Sequence, residues 1–142
     1  MPDIFHDFSI KVAPARVFEA VTTPKGLDTW WTKTSSGRPA LGEGYTLKFG
    51  PSYDWRAKVT KCVEDSEFEF WMFHTHKDWE GTRVGFRLRG DKTTNVSFYH
   101  TGWSMPNDHW RVSCFCWAMY LRILRRFLEH GEVVPYEKRL DA

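Results

Sequence analysis

Hydrophobic side chains recur along residues 107–130 at the spacing of an amphipathic helix, with Trp117 at the centre of the apolar face. The same face carries Trp110, Ser113, Cys114, Tyr120, Leu121, Leu124 and Leu128. Either Asn107 or Asp108 can cap the first free N–H groups, and Gly131 is a typical left-handed stop. The pattern predicts a helix of roughly twenty residues, about 30 Å long, whose wide apolar face covers a large surface.

Six other runs alternate between hydrophobic and polar residues with the period of two that is typical of β-strands. They centre on residues 4–12, 45–49, 55–60, 67–72, 83–89 and 96–101. Two short helices are predicted to begin at Pro14 and Pro24, residues 33–44 to form a loop, and Gly50-Pro51 to form a turn. One polar face on each strand indicates an antiparallel sheet covered on one side, so charged positions such as Glu69 are expected in solvent.

Two segments carry a family resemblance: FSIKVAPARVFEAVTTPKGLDTWW near the N-terminus and GW…CFCWAMYLRILRRFLEHGEVVPY near the C-terminus. They resemble the domain named after the activator of heat-shock-protein ATPase, a branch of the START-like superfamily (helix-grip, polyketide cyclase-like, SRPBCC). The resemblance implies an α+β helix-grip fold: a curved antiparallel sheet of six strands, in the order 1-6-5-4-3-2, around the long C-terminal helix, usually with a cavity between them. Superfamily members range from lipid and hormone carriers to cyclases, so the fold selects no single function.

Composition narrows the classes of function. A chain of 142 residues suits one domain with a buried core, so we expect residues 1–142 to form a single START-like domain. A net charge of +2 gives no global reason to expect a nucleic-acid or membrane partner. Three cysteines, an odd number, favour reduced thiols and a cytoplasmic location over a disulfide framework. The aromatic content of 17%, with 8 Trp, suits a cavity wall as well as a core.

The inward positions of the strands and helix predict the wall of a ligand-binding cavity. The predicted ligand-binding residues are Phe8, Trp55, Phe70, Met72, His74, Phe86, Phe98, His100, Trp110, Cys114, Trp117, Tyr120 and Leu121. The alternative is that these side chains fill the core completely, but so many large residues are hard to pack without gaps. A mainly apolar wall suits a small ligand of low polarity, aromatic or acyl, whose identity the sequence does not give.

Histidines supply the polar positions of this wall. His6 and His100 are expected to be cross-strand neighbours, with His74, His76 and His109 towards the same end of the sheet. Three interpretations remain: hydrogen bonding at the sheet end, a polar anchor or general base in a cyclase- or hydrolase-like enzyme, or a metal site. His6 and His100 are the candidate catalytic residues. An intervening strand disfavours metal binding, so we predict no metal, and no cofactor motif occurs.

The outward side of the long helix carries a hydrophobic stripe of Val112, Phe115 and Met119. Apolar side chains grouped in this way often mark an interface, so we predict a weak homodimer through these residues. Trp71 and Phe73, at outward strand positions, form a second candidate patch. A protein-interaction module, co-chaperone-like in its action, is therefore an alternative to the ligand-binding function.

Overall fold

The computed structural model describes residues 2–50 and 54–142, so the predicted turn at Gly50-Pro51 lies partly outside the described residues. In these ranges the strands are β1 (Ile4–Ile10), β2 (Thr34–Ser36), β3 (Gly44–Lys48), β4 (Asp54–Val63), β5 (Glu67–His74), β6 (Arg83–Gly90) and β7 (Thr94–Thr101). The helices are α1 (Pro14–Thr22), α2 (Pro24–Trp30), α3 (Asp108–His130) and a closing 3₁₀ helix, Tyr136–Asp141. None of these helices combines the length and hydrophobicity needed to cross a membrane.

The strands form one antiparallel sheet in the order β1-β7-β6-β5-β4-β3-β2. The α+β helix-grip fold, the six predicted strands and their implied order are therefore confirmed. The sheet has a seventh strand, because Thr34–Ser36 pairs with Thr46–Lys48 of β3 inside the segment predicted to be a loop. A three-residue strand at a sheet edge is held by backbone hydrogen bonds and does not require alternating hydrophobic side chains. The hydrophobic pattern of the sequence therefore does not reveal it.

The long helix α3 lies against the sheet through the predicted apolar face. Its first turn is capped by Asn107, whose side chain accepts a hydrogen bond from the Trp110 N–H at 2.9 Å. Its end is Gly131, which adopts the left-handed conformation with φ of 67°. Trp117 is buried at the contact with the sheet, as the helical periodicity predicts.

Two tryptophans at the end of α2 fill much of the space between the sheet and α3. Trp30 is fully buried, and its Nε1–H donates to the Ala20 carbonyl at 2.9 Å. Trp31 lies with its ring centroid 5.1 Å from that of Trp117. Phe86 packs edge-on against Trp30, with ring centroids 6.0 Å apart. The centre of the molecule is therefore a packed aromatic core.

The outward face of the sheet holds an unexpected buried carboxylate. Glu69 was predicted to lie in solvent, yet only 3% of its surface is exposed. The Tyr99 hydroxyl and the Thr60 hydroxyl both donate to it, and Arg83 approaches it at 3.3 Å. Gly85 makes this possible, because a Cβ there would lie 2.3 Å from the Tyr99 ring. The ring lies across the space left by the glycine and covers the carboxylate from water.

Candidate functional site

An open cleft of about 270 Å³ lies beside the packed core, between the sheet, the first half of α3 and the C-terminal 3₁₀ helix. Most of its wall is aromatic. The lining residues are Trp31, Phe49, Trp55, Trp79, His109, Val112, Ser113, Cys116, Trp117, Tyr120 and Tyr136. A concave, mainly apolar surface with a few polar groups is the usual form of a small-molecule site.

Two of the indole rings of the cleft are held in place by hydrogen bonds directed into the protein. Trp117 Nε1–H donates to His100 Nδ1 at 3.0 Å, and Trp79 Nε1–H donates to Ser113 Oγ at 3.3 Å. The Trp79 ring also packs against Trp55, with centroids 4.9 Å apart. Because the polar edges of Trp117 and Trp79 are already satisfied, these side chains offer carbon surface to the cleft.

His100 is the centre of the hydrogen-bond chain behind this wall. Its Nδ1 accepts from Trp117, so its proton is on Nε2, which donates to the Thr82 hydroxyl at 2.8 Å. Thr82 donates in turn to the Trp79 carbonyl. Burial lowers the pKa of His100 to about 3, with a smaller effect from the charge of His109, so the ring is neutral at physiological pH. His100 is fully buried, which makes it a positioning residue for Trp117 rather than a base open to the cleft.

His6 lies near His100 in register but serves another part of the molecule. Ile4 pairs with His100 and His6 pairs with Phe98, so the predicted cross-strand proximity is confirmed. The two imidazoles nevertheless make separate contacts, because His6 Nε2 lies 3.2 Å from the Cys114 carbonyl of α3. The His6 ring lines a shallow groove on the opposite side of α3 from the aromatic cleft. The two candidate catalytic histidines therefore do not share a site.

The remaining predicted ligand-binding residues divide into three groups. Trp55, Trp117 and Tyr120 line the cleft. Phe70, Met72, Phe86 and Phe98 are buried in the core, and Trp110 and Cys114 pack against it from α3. Phe8 and Leu121 line the same shallow groove as His6. The residues of the second group do not reach the cleft, because Trp30 and Trp31 fill the space between the sheet and α3 where the cavity was expected.

His74 is a correction, because its side chain is exposed rather than directed inwards. In the pairing of β4 with β5, Arg56 faces His74 whereas Ala57 faces Met72. Phe73 is therefore an extra residue in β5, a β-bulge that breaks the alternation between Met72 and His74. The strand periodicity used for the prediction does not hold beyond this point.

Several residues that line the cleft are not among the predicted ligand-binding residues. Trp79 lies in the connection between β5 and β6, where no periodicity indicates burial, and yet it is 7% exposed. Trp31 ends a short helix, and Tyr136 belongs to the closing 3₁₀ helix, with its hydroxyl bonded to the Phe49 carbonyl at 2.9 Å. The high tryptophan count was the available signal for these positions, but it does not identify individual residues.

The rim of the cleft carries a polar cluster of His76, Asp78 and His109. His109 Nδ1 lies 3.0 Å from Asp78 Oδ2, and His76 Nδ1 lies 3.7 Å from the same oxygen. The hydrogen bond from His109 lowers the pKa of the Asp78 carboxyl, and the charges of both histidines and the Asn107 side chain act in the same direction. The predicted grouping of His76 and His109 at one end of the sheet agrees with this arrangement.

Comparison with known proteins places the chain in a family. Residues 11–129 match the family model described as Activator of Hsp90 ATPase homolog 1-like protein. The chain belongs to this family. The comparison with curated proteins found no match.

Solved structures extend the family comparison. The Aha1 dimer from Colwellia psychrerythraea is 30% identical, with a TM-score of 0.84, and the alignment covers 93% of this chain and 99% of that one. MLL2253 from Mesorhizobium loti is 14% identical, with a TM-score of 0.81 and coverage of 93% and 100%. CalU16 from Micromonospora echinospora is 17% identical, with a TM-score of 0.75 and coverage of 96% and 83%. The last two relationships concern the fold alone.

Proposed function

We propose that this family member binds a small apolar or aromatic molecule in the cleft beside Trp117. The observation that carries the proposal is the wall itself: indole and phenyl rings around an open cleft, with the polar edges of Trp79 and Trp117 bonded into the protein. A site whose rings are fixed before binding loses little conformational entropy when the ligand enters.

The dimensions of the cleft limit the ligand. A volume of about 270 Å³ lies just below the range of about 300–1,000 Å³ typical of sites for drug-sized molecules. A flat molecule of two or three fused rings is therefore a better match than a long acyl chain. His109 is the member of the polar rim cluster that lines the cleft, where it can accept or donate one hydrogen bond to such a molecule.

Titration with 1-aminoanthracene, a flat apolar fluorophore, tests the cleft. The probe should quench tryptophan fluorescence and gain emission of its own, with one site per chain. Trp55→Ala should weaken binding roughly tenfold, because an aromatic contact contributes about 0.5–1.5 kcal/mol beyond its buried area. Trp71→Ala is the matched control, since Trp71 lies on the outward face of the sheet and is 37% exposed. Equal probe affinity in the two variants would exclude this cleft as the site.

The alternative of a cyclase- or hydrolase-like enzyme based on His6 or His100 has less support. His100 is neutral and has no exposed surface, and His6 lies outside the cleft. A general base must reach the proton that it removes.

The three cysteines are free thiols, which supports the reducing cytoplasmic location that we propose for the protein.

A second proposal concerns self-association through the outward stripe of α3. Phe115 is 75% exposed and Val112 is 57% exposed, and Met119 is half-buried beside them. The 30% identical relative from Colwellia psychrerythraea is described as a dimer. Two copies related by a two-fold axis would cover the same stripe on each chain. Because the stripe is small, we propose a weak dimer rather than an obligate one.

Sedimentation equilibrium over a wide concentration range tests the dimer. The wild-type protein should show a rise in average mass with concentration, and Phe115→Glu should abolish this rise. Leu41→Glu is the matched control, because Leu41 is 69% exposed but lies in the connection between β2 and β3. A wild-type protein that stays monomeric throughout, or an effect of both variants alike, would contradict the proposal.

A further inference from the structure

A cluster of three metal-ligand side chains lies on the rim of the cleft, outside the hydrogen-bond chain that supports the indole rings. One nitrogen of His76, one nitrogen of His109 and one carboxylate oxygen of Asp78 lie within 4.8 Å of one another. Two imidazoles and a carboxylate form a ligand set suited to zinc and related transition-metal ions. The three come from two segments, the connection between β5 and β6 and the first turn of α3, so no strand separates them.

Two of the three separations between the ligand atoms, those that involve Asp78, are close to the separations around a coordinated ion. Zinc binds nitrogen and oxygen ligands at about 2.0–2.2 Å, so two ligands at tetrahedral angles lie about 3.3–3.5 Å apart. The separation of His109 Nδ1 from Asp78 Oδ2 is 3.0 Å, and that of His76 Nδ1 from the same oxygen is 3.7 Å. An ion can therefore replace the proton between His109 and Asp78 with movements of a few tenths of an ångström.

The framework around the cluster holds two of the ligands in place. The buried side chain of Trp79 anchors the connection that carries Asp78, because its Nε1–H donates to Ser113 of α3. The His109 ring stacks on the Trp79 ring, with centroids 6.5 Å apart. These contacts limit the movement of Asp78 and His109, and ligands that are held in place before binding lose less conformational entropy when an ion binds.

His76 is the adjustable member of the cluster. Its side chain is 46% exposed, and its Nδ1 accepts a hydrogen bond from the Asp78 N–H at 3.2 Å. The ring must turn away from this N–H to present a nitrogen to an ion. The N-terminal end of α3 also carries partial positive charge, which opposes a cation. Both effects indicate weaker binding than in a closed four-ligand zinc site.

We propose that His76, Asp78 and His109 bind one divalent transition-metal ion, of which zinc is the representative, at the rim of the aromatic cleft. Three protein ligands leave a fourth position for water. Since His109 also lines the cleft, this position is accessible to an oxygen atom of a molecule bound there. That last consequence rests on the proposed ligand site, whereas binding of the ion does not.

Calorimetric titration of tag-free, EDTA-treated protein with Zn²⁺, after removal of the chelator, tests the site. The wild-type protein should bind one ion per chain. His76→Ala and His109→Gln should each lower zinc affinity by at least about tenfold. His74→Ala is the matched control, because His74 is exposed at the end of β5 and is not part of the cluster. Co²⁺ should give visible absorption bands with the wild-type protein and with His74→Ala, and Mg²⁺ should give no binding heat.

Absence of zinc binding by the wild-type protein, or equal affinity in all four proteins, would overturn the proposal. His76 is exposed, so its replacement should leave the fold and the circular dichroism spectrum unchanged. The titration contains no cleft ligand, and the fluorophore titration can be run with EDTA present. A negative result for zinc therefore leaves the ligand-binding proposal intact, and a negative result for the fluorophore leaves the metal proposal intact.

Discussion

Mild acidification should destabilise the protein through His100. Burial lowers the pKa of this imidazole to about 3 in the native state, whereas an exposed histidine has a pKa of about 6.5. Between these two values the unfolded chain binds a proton that the native state excludes. The free energy of unfolding therefore falls as the pH decreases from 6.5 towards 3, and the contribution of neutral His100 is complete above pH 6.5.

The structure allows the size of this effect to be calculated. Each pH unit within the window costs about 1.4 kcal/mol, so acidification from pH 6.5 to 5 should remove about 2 kcal/mol. That is a large part of the about 5–15 kcal/mol that stabilises a typical domain. The comparison stops at pH 5 because Glu69 and Asp78, whose carboxyl pKa values are lowered in the native state, add their own loss of stability in more acidic solution.

Urea unfolding at half-unit pH intervals, followed by circular dichroism, measures the effect. The wild-type slope should include about one proton taken up on unfolding, and His100→Gln should lose that component whatever its absolute stability. Glutamine retains a hydrogen-bond donor and an acceptor for Trp117 and Thr82. The reasoning is refuted if the two proteins show the same pH dependence, or if the His100 ring titrates near pH 6.5 in NMR spectra of the native protein.

Two further predictions concern buried aromatic contacts and are measured by chemical denaturation. Trp117→Phe removes the donor to His100 Nδ1 and part of a buried ring, so it should cost about 2–4 kcal/mol. The same change at exposed Trp71 should stay within about 0.5 kcal/mol, and comparable losses at both would contradict the assignment. Gly85→Ala should cost about 1–3 kcal/mol because its Cβ meets the Tyr99 ring at 2.3 Å. Unchanged stability would mean that the ring moves aside freely.

The elements that the sequence predicted well are those specified by local chemistry. The long helix has a period of 3.6 residues over more than six turns, a capping side chain at Asn107 and a glycine at its end. Pro14 and Pro24 each begin a helix, because a fixed φ and a missing N–H suit the first turn. These signals involve neighbours in the chain and need no knowledge of the rest of the molecule.

The incorrect predictions concern features that depend on backbone pairing or on side chains distant in the sequence. The strand Thr34–Ser36 depends on pairing with an edge, and the bulge at Phe73 reverses the direction of His74. Glu69 is buried because Gly85, on the neighbouring strand, lets Tyr99 cover it. None of these effects is visible in the pattern of hydrophobic and polar residues in the sequence around it.

The sequence by itself determined the buried faces of the elements, since alternation specifies which face of each strand is buried and the helical period specifies which face of α3 meets it. The curved helix-grip arrangement and its strand order were implied by the family resemblance. Only the tertiary structure decided where open space remains. Trp31 follows the end of a helix, and Trp79 lies in the connection between β5 and β6. The local sequence does not specify which part of the interior their large rings occupy. Their packing against Trp117 closes the centre and opens a cleft at one edge. The position of a cavity depends on the combined volume of side chains that are far apart in the chain, and no local sequence pattern specifies that volume.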